Sequence, residues 1–105
     1  MLKFHVQLHC LQGTDKGKKW DCIFINNKTI VIGRVPGCHI LLSDSTVSQS
    51  QCLIQIQEEK LCVIDMGSSF GTKLNERRIQ GATPLKNKDC LHIGNSILQL
   101  VWVSS

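Results

Sequence analysis

The stretch IGRVPGCHILLSDSTVSQSQCLIQIQEEKLCVIDMGSSFGTKLN, residues 32–75, decides how this chain is read. Polar turns punctuate it at Gly33-Arg34, at Val47-Ser48-Gln49-Ser50-Gln51, and at Asp65-Met66-Gly67-Ser68-Ser69-Phe70-Gly71-Thr72, each between short apolar runs. Between two of them Cys52, Ile54 and Ile56 alternate with Leu53, Gln55 and Gln57, the period of a strand and not of a helix. Turns that gather an arginine, several hydroxyls and glycines suit the binding of an anion or a polar main chain. They hold no general base or activated nucleophile, so the chain reads as a binding module and not an enzyme.

The same period extends outward in both directions. Phe4, Val6, Leu8 and Cys10 fall on one face and Lys3, His5, Gln7 and His9 on the other. Strands follow at 20–25, 29–32, 39–42, 52–57, 60–65, 72–74, 77–79, 91–93 and 96–103, with turns at Gly13–Gly17, Asn26-Asn27-Lys28, Pro36-Gly37, Glu58-Glu59 and Gly94-Asn95. No stretch has a 3.6-residue period. About ten or eleven short strands and no significant helix predict an all-β sandwich, a single domain over residues 1–105. In the last strand Ile97, Leu98, Leu100, Val101, Trp102 and Val103 leave only Gln99 polar, whereas the outer face of a sandwich is normally polar. Either a loop covers that face or the strand end frays, or another subunit buries it; Ile97, Val101 and Val103 are the residues of such a dimer surface.

Composition narrows the partners. A net charge of +4 is mild, and Lys16, Lys18 and Lys19 read as a solvated hairpin tip without the aromatics or arginines of a nucleic-acid footprint. No apolar run reaches the ~18 residues of a membrane span, and the start lacks the charged-then-apolar pattern of a signal peptide. Neither nucleic acid nor membrane is therefore expected as a partner. The six cysteines have no CxxC spacing and sit largely in strand-like contexts, which predicts reduced, mostly buried thiols. His9-Cys10, Cys38-His39 and Cys90-Leu91-His92 are isolated pairs without a second ligand pair, so neither a metal nor another cofactor is expected. Gly13-Thr14-Asp15-Lys16-Gly17-Lys18 is a residue short of a phosphate-binding P-loop and joins two strands instead of opening a helix.

With these residues the chain resembles a forkhead-associated (FHA) domain over nearly its whole length. The family pattern of Gly-Arg, Ser-x-x-His, Ser/Thr-Asn-Gly-Thr, a downstream Asn and Ile-Gly is met by Gly33-Arg34, Ser48-Gln49-Ser50-Gln51, Ser69-Phe70-Gly71-Thr72, Asn75 and Ile93-Gly94. The resemblance implies an eleven-stranded sandwich whose loops at one end bind phosphothreonine peptides. It assigns Arg34, Ser48, Gln49, Ser69 and Phe70 to the phosphopeptide pocket, and Gly33, Gln51, Gly71 and Asn75 to the structure of its loops. Residues 31–38 are similar to FHA domains of the DNA-damage checkpoint mediator type, which implies the nucleus and self-association.

Two substitutions alter the pattern. Phe70 stands where the family has an asparagine that holds the peptide main chain, and it has no donor or acceptor; it is either packed back onto the sandwich or a contact anchor. Gln51 stands where the family has a buttressing histidine, and is expected to hold its loop less rigidly. The sequence reading is thus the amino-terminal interaction module of a larger nuclear adaptor, since Met1 opens the first strand almost at once. It acts chiefly by homodimerisation and keeps a degenerate phosphothreonine pocket. The alternative is a working phosphothreonine reader through Arg34 and Ser48.

Overall fold

The computed structural model describes residues 3–104, which form eleven strands and no helix. A six-stranded sheet runs in the order β2 (Lys19–Ile25), β1 (Lys3–Gln12), β11 (Ser96–Ser104), β10 (Cys90–Ile93), β7 (Thr72–Leu74), β8 (Arg77–Arg78). A five-stranded sheet runs β4 (Ile40–Leu41), β3 (Thr29–Gly33), β5 (Cys52–Gln57), β6 (Lys60–Asp65), β9 (Thr83–Pro84). All pairings are antiparallel except β3 with β4.

Alternation fixes which face is inside. On β1 the side chains of Phe4, Val6, Leu8 and Cys10 are buried, and the register sets Phe4 opposite Phe24, Val6 opposite Cys22 and Trp102, and Leu8 opposite Leu100. Because the side-chain period is two, these rows share one face. The second sheet contributes Ile30, Ile32, Cys52, Ile54, Leu61 and Val63, and the two faces close one core. Leu11 lies on the outer face by the same alternation, at 44% exposure; the register then slips between Cys10 and Gln12, a bulge that leaves Gln12 exposed where alternation would turn it inward. The six cysteines are free thiols, buried at Cys10, Cys22, Cys52 and Cys62 and half-buried at Cys38 and Cys90.

The strand with two apolar faces lies in the interior of its sheet. Leu98 and Leu100 point into the core, and Trp102 packs on it edge to face with Phe4, ring centroids 6.2 Å apart. Ile97 and Val101 on the outer face are half-buried, while Val103 is 81% exposed. The strand that sequence patterning passed over is β9, two residues ending in a proline, too short to carry a period.

Strand ends gather the loops that matter. β3, β6 and β10 finish, and β5, β7 and β11 begin, at one end of the sandwich, so residues 42–51, 66–71 and 94–95 meet there.

Candidate functional site

At that end a polar concavity of about 420 Å³ is lined by Arg34, Ser48, Gln49, Ser69 and Phe70, the residues named from the sequence, together with Ser45, Thr46, Val47, Ser50 and Gly67. Arg34 follows directly on β3. Its backbone N–H is shared by the carbonyls of Ser48 and Gln49, at 3.2 and 3.1 Å. This contact requires Gly33, because a β-carbon there would collide with the Gln49 carbonyl oxygen. The Arg34 side chain is aimed by its Nε, which donates to the Val47 carbonyl at 2.8 Å. The rest of the guanidinium fork is left for another acceptor. Among the described residues no carboxylate pairs with Arg34, so it is not half of a surface ion pair.

Ser48 and Ser69 are joined across the pocket. The Ser69 N–H donates to Ser48 Oγ at 2.9 Å, which spends an acceptor site of that hydroxyl and leaves its hydrogen free to be donated to an anion. Phe70 at the lip is 74% exposed, so it is not packed back onto the sandwich; it separates this concavity from a smaller one lined by Gly71, Lys73, His92 and Gly94.

Gln51 departs from the expectation of a looser loop. It is buried at 2% exposure, and every polar atom of its amide is used. Its Oε1 accepts the Ser48 N–H at 2.9 Å, and its Nε2 donates to the Gly71 carbonyl at 3.0 Å and to Thr72 Oγ1 at 3.1 Å. One glutamine therefore ties together the two loops that form the pocket. Gly71 sits at φ +82°, a backbone conformation that strains any residue with a β-carbon, and such a carbon would have to displace the exposed Arg78 side chain 2.8 Å away. Asn75 is outside the pocket. It holds the turn after β7, donating to Asp89 Oδ1 at 2.8 Å and accepting the Cys90 N–H at 2.9 Å.

Three aspartates that the sequence did not mark build the supports. Asp65 accepts the N–H groups of Gly67 and Ser68, both at 3.0 Å, and the hydroxyls of Ser68 and Thr72 at 2.5 and 2.7 Å, which shapes the loop bearing Ser69 and Phe70. Asp44 accepts the Thr46 N–H and hydroxyl and the Ser96 hydroxyl; the Thr46 hydroxyl in turn accepts the Asn95 N–H. Asp15 reaches from the β1–β2 turn to the Ser43 N–H at 2.6 Å and pairs with Lys18. Their signal in the sequence is faint, since an aspartate followed by hydroxyl residues is common in any turn.

Burial pushes all three carboxyls upward, but the bonds outweigh it and each lies below the usual carboxylate range. The bonds come from Lys18 and Ser43 for Asp15, from Thr46 and Ser96 for Asp44, and from Ser68, Thr72 and Gly67 for Asp65. A depressed folded pKa stabilises the fold above the unfolded value of about 3.9, and that contribution disappears as pH falls through the folded values. Thermal midpoints are therefore expected to hold steady from pH 7 to about pH 5 and to drop steeply below about pH 4. Asp44→Asn should flatten part of that drop, and a midpoint independent of acid would show that these carboxylates carry no such load. Under the pocket, burial first and then the charge of Asp65 push the Cys52 thiol up to about 12, against the Thr72 hydroxyl bond. It is an inert core thiol and no nucleophile.

The sequence profile of the FHA domain matches residues 30–94. The chain belongs to the FHA domain family. It is 34% identical over 80 residues, 70% of its length, to the FHA domain-containing protein PS1 of Arabidopsis thaliana. It spans 5–9% of the length of the curated relatives it matches. In fold it is similar to the FHA domain of CT664 from Chlamydia trachomatis, with a TM-score of 0.82, 24% identity, and 92% of this chain and 96% of that one aligned. Mycobacterium tuberculosis EmbR aligns with a TM-score of 0.77 and 22% identity over 92% of this chain and 24% of its own. FHA domains are known as phosphothreonine-binding protein-interaction modules.

Proposed function

We propose that this FHA domain binds a phosphothreonine-bearing segment of a partner protein, with Arg34 and Ser48 holding the phosphate. The observation that carries the reading is the convergence of an aimed, unneutralised Arg34 with the Ser48 hydroxyl on one polar concavity. A phosphothreonine brings about −1.5 to −2 charges and three acceptor oxygens, and charge-assisted bonds are roughly twice as strong as neutral ones. EmbR, similar in fold, binds a phosphopeptide with low affinity. Low affinity is expected here as well, because Phe70 offers the peptide main chain no hydrogen bond. Losses of about 1–3 kcal/mol would move a micromolar interaction to tens or hundreds of micromolar.

The experiment is a titration with a degenerate phosphothreonine peptide library beside its unphosphorylated twin. Phosphate-dependent binding with a Kd on the order of 100 μM is expected; flat curves to several hundred micromolar would reject the reading. Phe70→Asn supplies the missing donor and acceptor at the lip. It is expected to tighten binding by about tenfold, 1.4 kcal/mol. An unchanged or weaker Kd would mean that Phe70 is itself a contact for the ligand.

A second reading, self-association through the outer face of β11, is favoured by its apolar side chains. Val103 is 81% exposed and lies opposite His5 on β1, which lies opposite the exposed Ile23 on β2. Sedimentation at ~50 μM tests it: a monomer there leaves less than about 6 kcal/mol for any dimer. Val103→Glu should abolish any dimer seen while leaving phosphopeptide binding intact. A place in a nuclear adaptor of the DNA-damage response rests on the resemblance of residues 31–38, and imaging of the tagged protein before and after DNA damage tests it.

A further inference from the structure

A concavity of about 530 Å³ lies between the β7–β8 hairpin and the segment 79–89, and it shares no residue with the Arg34 pocket. Leu74, Ile79 and Pro84 give it an apolar floor, and Arg77, Arg78 and Lys86 stand exposed around it. None of the three cations forms an ion pair among the described residues. The carboxylate that lines the groove, Asp89, is already engaged: it accepts from Asn75 Nδ2 and from the Lys86 N–H. β8 and β9 are the outermost strands of their two sheets at this side, each paired with one neighbour only.

We propose that this groove docks an acidic, extended peptide segment of a partner protein. Side chains of an extended segment alternate between two sides, so apolar residues can rest on Leu74, Ile79 and Pro84 while carboxylates between them meet Arg77, Arg78 and Lys86. The unneutralised positive charge selects against basic segments, and the net charge of +4 favours the approach of acidic ones. Arginine supplies the planar fork that matches a carboxylate with two parallel bonds. The apolar floor argues against nucleic acid, since no aromatic ring lines the groove to stack on a base.

The test uses the isotope-labelled domain and an unphosphorylated peptide of alternating glutamate and leucine, beside a twin with lysine for glutamate and a single-stranded oligonucleotide. Amide shifts on residues 74–89 are expected with the acidic peptide alone. Affinity by fluorescence anisotropy should fall at least about tenfold in the double variant Arg77→Glu/Arg78→Glu and stay within about twofold in Arg34→Ala. Lys86→Glu, a turn residue outside the strands, is expected to weaken binding by about threefold should the double variant unfold. No binding of the acidic peptide at millimolar concentration, equal binding of the lysine twin, or shifts centred on Arg34 and Ser48 would overturn the proposal. So would an oligonucleotide that takes the same residues more tightly.

Discussion

Gln51→Leu is expected to lower the free energy of unfolding by about 3–4 kcal/mol and the melting temperature by more than about 10 °C. Leucine fills nearly the same space, so the loss is polar and not a cavity. The orientation of the amide follows from its partners, since the Ser48 N–H needs an acceptor and the Gly71 carbonyl a donor. Removing the amide leaves both backbone groups without a partner in a site where Gln51 itself is 2% exposed. Thr72 suffers less, because its hydroxyl still donates to Asp65 at 2.7 Å. Each orphaned group costs about 1–3 kcal/mol, and the loops bearing Ser48 and Ser69 lose their tie. Gln51→His restores one donor and one acceptor on its ring and should lose less than about half as much. Circular dichroism melts decide the matter, and a drop below about 3 °C for the leucine variant would mean that solvent replaces the amide without loss.

Arg34→Ala is expected to weaken phosphopeptide binding by about 30- to 100-fold, beyond detection for a site that starts near 100 μM. The fold should barely notice. Arg34 is exposed, and its side chain holds the protein through a bond from Nε to the Val47 carbonyl, so the melting temperature should shift by only a few degrees. Arg34→Lys separates charge from geometry. It keeps the cation but gives up the planar fork and the bond that aims it, and an intermediate loss of about fivefold to tenfold is expected. Calorimetry with a phosphorylated peptide and its unphosphorylated twin reads all three proteins. Binding that remains phosphate-dependent and equally tight in the alanine variant would remove Arg34 from the site and leave the concavity without its cation.

Most of the sandwich was legible because alternation is a local signal. Phe4, Val6, Leu8 and Cys10 are inside for the reason their spacing states, and the same holds for Cys52 and Ile54. β9 escaped notice because two residues cannot display a period. Gln12 sits outside, against the alternation of β1, because a bulge set by pairing with β11 shifts the register by a residue. In the site, Arg34, Ser48 and Ser69 were marked by the resemblance to the FHA pattern, and the structure brings all three to one concavity. Asp44 was not marked, since its partner Ser96 is 52 residues away and nothing near either residue announces the bond.

Gln51 and Phe70 mark the boundary most sharply. The sequence says that each departs from the family pattern and no more. For Gln51, the tertiary structure brings the Ser48 N–H, the Gly71 carbonyl and the Thr72 hydroxyl within reach of one amide, so the departure keeps the tie. For Phe70, it leaves the ring in solvent, so the departure changes the surface a ligand meets. The sequence by itself determined the all-β class, the turns and the residues available for an anion, because period and residue chemistry are local. The tertiary structure alone decided which side chains are bonded and which are free, because hydrogen bonds between loops 20 or more residues apart depend on where the strands deliver them.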